Sequence, residues 1–198
     1  DRRASSASAA AMRALRSARF RSYAIRVSAA GVGSPRWSTS CAFLDIEGDG
    51  DLAVGAPWET LAHGTEDDAG VVHIFYGSVG GPLIEGNQLW FQGPRKGLAH
   101  RPEPDDLFGY ALCPGDFDGD GVHDLAVGVP GESIVRFDQN VPGAGAVHVL
   151  YGTPETDEGG PPFTGGLQSA RNHLLHQSTP GVGGIPEPYD RLGFALAS

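Results

Sequence analysis

The chain has 198 residues, of which 40% are hydrophobic, so it is long enough to bury a core of ordinary size. Its 30 glycines and 15 prolines interrupt the sequence too often for a helical bundle or a coiled coil, and they favour short strands joined by turns. No apolar run approaches the roughly 20 residues that a membrane-spanning helix needs, and we therefore expect no transmembrane segment in this chain.

The net charge of −10 is unevenly distributed. Residues 1–36 hold eight of the 14 basic residues and one acid, so residues 37–198 carry 14 − 8 = 6 bases and 24 − 1 = 23 acids, a net charge of −17. An acidic body of this size repels phosphate backbones and attracts cations, and we therefore expect no nucleic-acid binding by the folded part. The two cysteines, Cys41 and Cys113, are too few to fix the redox compartment.

Residues 1–36 form a basic extension rich in Ala, Ser and Arg. This composition cannot bury a core, and we expect the segment to be disordered. A targeting segment or a membrane-surface helix is the alternative, although the continuous apolar stretch of a secretory signal is missing.

From Trp37 onward the chain repeats itself. Residues 51–57 (DLAVGAP) match 124–130 (DLAVGVP), and residues 70–77 (GVVHIFYG) match 145–152 (GAVHVLYG). The matched blocks occur in the same order, and their separation grows along the unit because the second unit has longer loops. We therefore divide the chain into a first repeat at 37–107, a second at 108–190 and the start of a third at 191–198.

Each repeat is predicted to contain four short strands, which in the second repeat cover 108–113, 125–129, 146–151 and 172–177. The third strand is largely apolar on both faces, so neighbouring sheets must cover it on both sides. These features predict an all-β fold, a partial β-propeller made of four-stranded antiparallel blades.

The repeated motifs resemble the FG-GAP repeat of integrin alpha-subunit propellers and related bacterial proteins. The resemblance rests on Phe108-Gly109, the acidic loop 116–124, the LAVGVP segment that ends at Pro130, and residues 145–152. It implies a seven-bladed propeller, Ca²⁺ in loops between the first two strands of certain blades, and a secreted or cell-surface location. Because only two repeats and the start of a third are present, we interpret the chain as a fragment whose further blades lie in a longer protein.

The acidic loop of the second repeat has the spacing of a calcium-binding loop. Carboxylates occupy positions 1, 3, 5 and 9, and Gly121 at position 6 permits the tight turn that wraps the chain around an ion. An EF-hand requires Glu at position 12, where this chain has Val127. An acidic hairpin turn without metal is the alternative. The expected ligands are Asp116, Asp118, Asp120, the Val122 carbonyl and Asp124.

The first repeat has a shorter version of this loop. Its candidate ligands are Asp45, Glu47, Asp49 and Asp51, but the last of these comes two residues early, which removes about 6 to 7 Å of chain from the closing arm. Either Ca²⁺ binds here in a rearranged cage, or the turn no longer binds a metal.

The sequence contains no nucleophile elbow, phosphate-binding loop or zinc-protease motif, and we do not expect an enzyme. The favoured function is a non-catalytic, calcium-binding propeller module for extracellular adhesion or ligand binding, whose loops contact a protein or glycan. The alternatives are an accessory propeller region of a secreted hydrolase or lyase, or a truncated fragment of either kind of protein.

Overall fold

The computed structural model describes residues 40–46, 48, 50–61, 66–153 and 165–197. The extension expected to be disordered, 1–36, lies outside these ranges. Every regular secondary-structure element assigned in the described residues is a β-strand, as predicted. They are β1 Cys41–Leu44, β2 Asp51–Ala56, β3 Val71–Phe75, β4 Gln88–Trp90, β5 Leu112–Gly115, β6 Asp124–Val129, β7 Ile134–Arg136, β8 Gln139–Val141, β9 Ala146–Thr153 and β10 Gly166–Leu175.

The strands form two four-stranded antiparallel sheets and one separate hairpin. The first blade has the order β1-β2-β3-β4, and the second has β5-β6-β9-β10, with the β7-β8 hairpin inserted between its second and third strands. Each blade is thus an up-and-down meander in which consecutive strands pair, apart from the inserted hairpin. This arrangement confirms the predicted partial propeller of four-stranded blades.

Burial differs between the equivalent inner strands of the two blades. All six residues of β6 are buried, because both faces of this strand are covered, one by the main apolar cluster and the other by a second cluster that includes the start of the third repeat. The equivalent strand β2 alternates between buried and partly exposed residues. The main apolar cluster spans both blades and includes Ile74 and Tyr76 from the first and Leu125 and Leu150 from the second. The core therefore lies between the blades.

The blades touch through the Phe-Gly pair of the second repeat. The N–H of Phe108 donates to the Ala69 carbonyl of the first repeat at 2.9 Å, while the N–H of Gly109 donates to the Gly128 carbonyl of its own blade at 3.1 Å. A Cβ atom at Gly55 would collide with the Gly109 carbonyl oxygen. Gly55 is therefore required because the backbone of the next repeat packs directly against it.

The start of the third repeat docks in the same way on the second blade. The N–H of Leu192 donates to the Ala144 carbonyl at 3.0 Å, which repeats the bond between Phe108 and Ala69. A Cβ at Gly128 would collide with the Gly193 carbonyl, as one at Gly55 would with Gly109.

Two predicted strands of the second blade were placed wrongly. The first was expected at 108–113 but is β5, Leu112–Gly115, because Leu107 and Gly109 have φ of 62° and 87° and cannot belong to an extended strand. The fourth was expected at 172–177 but is β10, Gly166–Leu175, which begins earlier because its first residues pair with the end of β9.

Candidate metal site

The acidic loop of the second repeat connects β5 to β6 and lies at the end of the blade away from the β7-β8 hairpin. Gly119 and Gly121 have φ of 80° and 90°, and a Cβ at either position would have no neighbour within 4 Å. These glycines are therefore needed for backbone conformation rather than for space. The turns they allow fold the loop back on itself.

Three exposed carboxylates meet in this loop. One oxygen from each of Asp116, Asp118 and Asp120 can be chosen so that all lie within 4.8 Å of one another. Asp116 orders the turn, since its carboxylate accepts hydrogen bonds from the N–H groups of Gly119 at 2.7 Å and Gly121 at 3.0 Å. The loop backbone thus orients the acidic side chains.

The donor set fits Ca²⁺. Two oxygens on opposite sides of a Ca²⁺ ion, each about 2.4 Å away, are about 4.8 Å apart, so three oxygens within this distance can share one ion. Carboxylate oxygens without nitrogen or sulfur donors favour a hard cation over zinc. Negative charges this close repel one another, and a cation removes that repulsion. Asp116, Asp118 and Asp120 would hold the ion.

Asp124, the fourth predicted carboxylate, lies outside this group of three. It is fully buried, and its two oxygens accept the N–H groups of Phe117 at 2.7 Å and Gly152 at 2.8 Å. Burial raises the pKa of Asp124, and the charges of Asp118 and Asp120 raise it too, whereas the two N–H donors lower it. Each oxygen keeps a second lone pair, and ligation by Asp124 remains a prediction.

Val122, whose carbonyl was the fifth expected donor, anchors the loop in the core. Its side chain is buried in the main apolar cluster, and its N–H donates to the Asp120 carboxylate at 2.9 Å. A metal contact by its carbonyl also remains a prediction.

One basic side chain reaches the loop from β10. The guanidinium of Arg171 pairs with the Asp118 carboxylate and lies over the Tyr151 ring, 5.2 Å from its centroid. Sequence reasoning missed this residue. The available signal was that Arg171 precedes Asn172 where the first repeat has Gly86 before Asn87.

The first acidic loop is described only in part. Glu47 and Asp49 lie outside the described residues. Asp51 is 1% exposed, and its carboxylate accepts the N–H groups of Ile46 and Gly77, each at 3.0 Å. Metal binding by the first loop therefore stays a prediction.

The two acidic loops are hydrogen-bonded to each other. The N–H of Asp45 donates to His123 Nδ1 at 3.0 Å, and the N–H of His123 donates to the Asp45 carbonyl at 3.2 Å. Sequence reasoning gave His123 no role, because a contact between repeats leaves no local pattern.

Comparisons with known proteins agree with the repeat architecture. Residues 108–150 match the FG-GAP repeat family. Over 176 residues, 88% of this chain, the sequence is 36% identical to phosphatidylinositol-glycan-specific phospholipase D of Rattus norvegicus, covering 17% of that protein. It is 44% identical over 87 residues, 42% of this chain, to integrin alpha-PS2 of Drosophila melanogaster, covering 6% of it. Against integrin alpha-3 of Mus musculus the identity is 26% over 152 residues, 75% of this chain and 12% of that protein.

The chain therefore spans less than a fifth of the length of these relatives. Within the described ranges, no helix is long and apolar enough to cross a membrane. The matched family, the matched relatives and the two blades all indicate the same kind of repeat. The chain is an FG-GAP repeat protein that resembles the integrin alpha subunits.

Proposed function

We propose that the chain is a non-catalytic, calcium-stabilised propeller module of a secreted or cell-surface protein. The observation that carries this proposal is the convergence of Asp116, Asp118 and Asp120 within 4.8 Å in the loop between the first two strands of a blade. Bound Ca²⁺ ties β5 to β6 by neutralising the carboxylates of the connecting loop. Because only the folded loop presents these ligands together, Ca²⁺ binding stabilises the folded blade.

The proposed boundaries of the module follow the repeats, with blades at 37–107 and 108–190 and a third beginning at 191–198. The equivalent docking of Phe108 and Leu192 on the preceding blade supports this division. We propose that further blades of a longer protein pack against the second blade. The exposed loops of such a scaffold would contact a protein or glycan ligand.

A thermal melt tests calcium binding. Added Ca²⁺ should raise the melting temperature of the full chain, and a chelator should reverse the rise. Asp120→Ala should abolish the response, since it removes one of the three converging ligands, whereas Asn would keep a side-chain oxygen that can bind Ca²⁺. Asp138→Asn is the control, because Asp138 is an acidic residue in the β7-β8 turn, away from the loop. A melting temperature that does not respond to Ca²⁺ would reject the proposal.

The similarity to phospholipase D favours a second candidate, in which the same module is appended to a hydrolase. The similarity covers most of this chain but a small part of the rat enzyme. The deciding experiment is to read the coding sequence on both sides of this region and to assay the complete gene product for hydrolysis of phosphatidylinositol-glycan. Activity would support an appended module, whereas further repeats without activity would favour the adhesion module.

A further inference from the structure

Arg171 occupies an unusual backbone position. It lies in an irregularity of β10 between Gln168 and His173, where the pairing with β9 changes register. Its φ is 61°, in the left-handed region that disfavours residues with a side chain, whereas the equivalent Gly86 of the first repeat has φ of 79° without that cost. The second blade therefore has arginine at a position where glycine would be less strained.

The irregular strand directs this side chain at the acidic loop. The guanidinium of Arg171 pairs with Asp118 Oδ2, and the Tyr151 ring supports it from one side. The Tyr151 hydroxyl is itself held by His173 Nδ1 at 2.7 Å. The cation is thus fixed between an aromatic ring and the loop.

The other oxygen of the same carboxylate is also engaged. Asp118 Oδ1 accepts the N–H of Asp120 at 3.3 Å, while Oδ2 faces the guanidinium. A Ca²⁺ ion bound by Asp118 must therefore share this carboxylate with Arg171 or displace it, and the two positive charges repel each other. The first loop has no such residue at the equivalent position, because Gly86 has no side chain.

We propose that Arg171 is an internal competing cation that raises the Ca²⁺ concentration needed to fill the second loop. This inference rests on the proposed function, because it assumes that the loop binds Ca²⁺. In the absence of calcium the guanidinium neutralises part of the negative charge of the loop. When Ca²⁺ binds, the guanidinium withdraws from Asp118, and the cost of that withdrawal lowers the affinity.

Calcium titration by isothermal calorimetry tests the competition. Arg171→Gly removes the charge and restores the residue of the first repeat, so the backbone conformation is retained. Arg191→Gly is a matched control, since Arg191 is also an exposed arginine with φ of 56° but belongs to the start of the third repeat. Both variants remove one positive charge and relieve the same backbone strain. Asp120→Ala, which removes a ligand oxygen altogether, identifies the heat that comes from the second loop.

We expect Arg171→Gly to lower the dissociation constant of the second loop about three- to tenfold, with a smaller effect in high salt. Arg191→Gly should bind like the wild type, and Arg171→Lys should fall between the wild type and Arg171→Gly. An unchanged or weakened affinity in Arg171→Gly would overturn the competition and leave calcium binding standing. If Asp120→Ala removes no heat from the wild-type titration, the proposed function fails and the competition fails with it.

Discussion

Asp51 and Asp124 make the same pair of hydrogen bonds in the two blades. In each case Oδ2 accepts an N–H from the acidic loop, at Ile46 or Phe117, and Oδ1 accepts the N–H of a glycine that follows a tyrosine, Gly77 or Gly152. Both carboxylates are buried, at 1% and 0% exposure. The last aspartate of each loop therefore ties that loop to the body of its blade, whether or not the other carboxylates bind a metal.

We predict that Asp124→Ala destabilises the chain in the presence of chelator. The buried N–H of Gly152 and the partly buried N–H of Phe117 lose their carboxylate acceptor, and the free energy of unfolding should fall by about 2 to 4 kcal/mol. Urea denaturation measures the loss, with Glu85→Ala, at an exposed acidic residue of the first repeat, as the control. A loss below about 0.5 kcal/mol would show that Asp124 does not hold the loop.

Because the blades are in direct contact at Gly55, we predict that a single added methyl group there has a large effect on stability. Gly55→Ala places a Cβ against the Gly109 carbonyl, and the backbone of the second repeat must move away. We expect a loss of roughly 1 to 3 kcal/mol in the free energy of unfolding, measured by urea denaturation. Gly183→Ala is the control, because a Cβ there would have no neighbour within 4 Å. Equal stability of the two variants would contradict the described packing of Phe108-Gly109.

We predict that the buried carboxyl of Asp106 makes stability fall as the pH rises. This side chain is 1% exposed, and its carboxylate accepts the N–H of Glu103 at 2.5 Å. Burial, together with the charges of Glu132, Glu103 and Asp105, raises its pKa to about 8. The folded state therefore holds a proton that the unfolded state releases near pH 4, and this contribution to stability is lost between pH 4 and 8.

Denaturation at pH 5 and pH 8 tests this prediction. Asp106→Asn should reduce the loss of stability between the two pH values, because the amide imitates the protonated carboxyl and still accepts the Glu103 N–H. If the variant and the wild type lose stability equally, Asp106 is not the residue that titrates.

For His148 we predict the opposite dependence of stability on pH, at lower pH. It is fully buried edge-on to Phe108, with ring centroids 5.7 Å apart, and neither ring nitrogen has a hydrogen-bond partner among the described residues. Burial, together with the charge of His100, lowers its pKa to about 4. As the pH drops from 6.5 to 4, the unfolded state therefore binds a proton that the folded state does not bind. Stability falls over this range.

His148→Leu should remove that fall and raise the free energy of unfolding at neutral pH by about 1 kcal/mol, because an unsatisfied polar ring is replaced by an apolar side chain. Denaturation curves at pH 5 and pH 7 provide the measurement. His73→Leu, at the equivalent but partly exposed position in the first repeat, shows what leucine alone contributes. A less stable His148→Leu protein would indicate that the buried imidazole is satisfied.

The repeat made the blades predictable from sequence, and the exceptions arose from contacts between repeats. The apolar runs of β2 and β6 recur with the same residues, so their place in the sheet followed from the pattern. Phe108 and Gly109 looked like the start of a strand because they are apolar and precede one, but they form the contact with the preceding blade. The β7-β8 hairpin was missed because its turn uses Phe137 and Asp138 in left-handed conformations, with φ of 48° and 60°, instead of glycine.

The sequence predicted the positions of some residues of the acidic loop but not the contacts of others. The spacing of Asp116, Asp118 and Asp120 is local, and these three carboxylates meet as such spacing suggests. The bonds of Asp124 to Gly152 and of Arg171 to Asp118 join residues 28 and 53 positions apart, so local spacing could not reveal them.

A crystal structure of the chain grown with CaCl₂ tests the central claim most directly, through an anomalous difference map at the acidic loop. We predict one calcium peak within about 2.3 to 2.6 Å of carboxylate oxygens of Asp116, Asp118 and Asp120. An ordered loop with no peak at these carboxylates, in crystals that hold Ca²⁺ in the solvent, would contradict the calcium-stabilised blade.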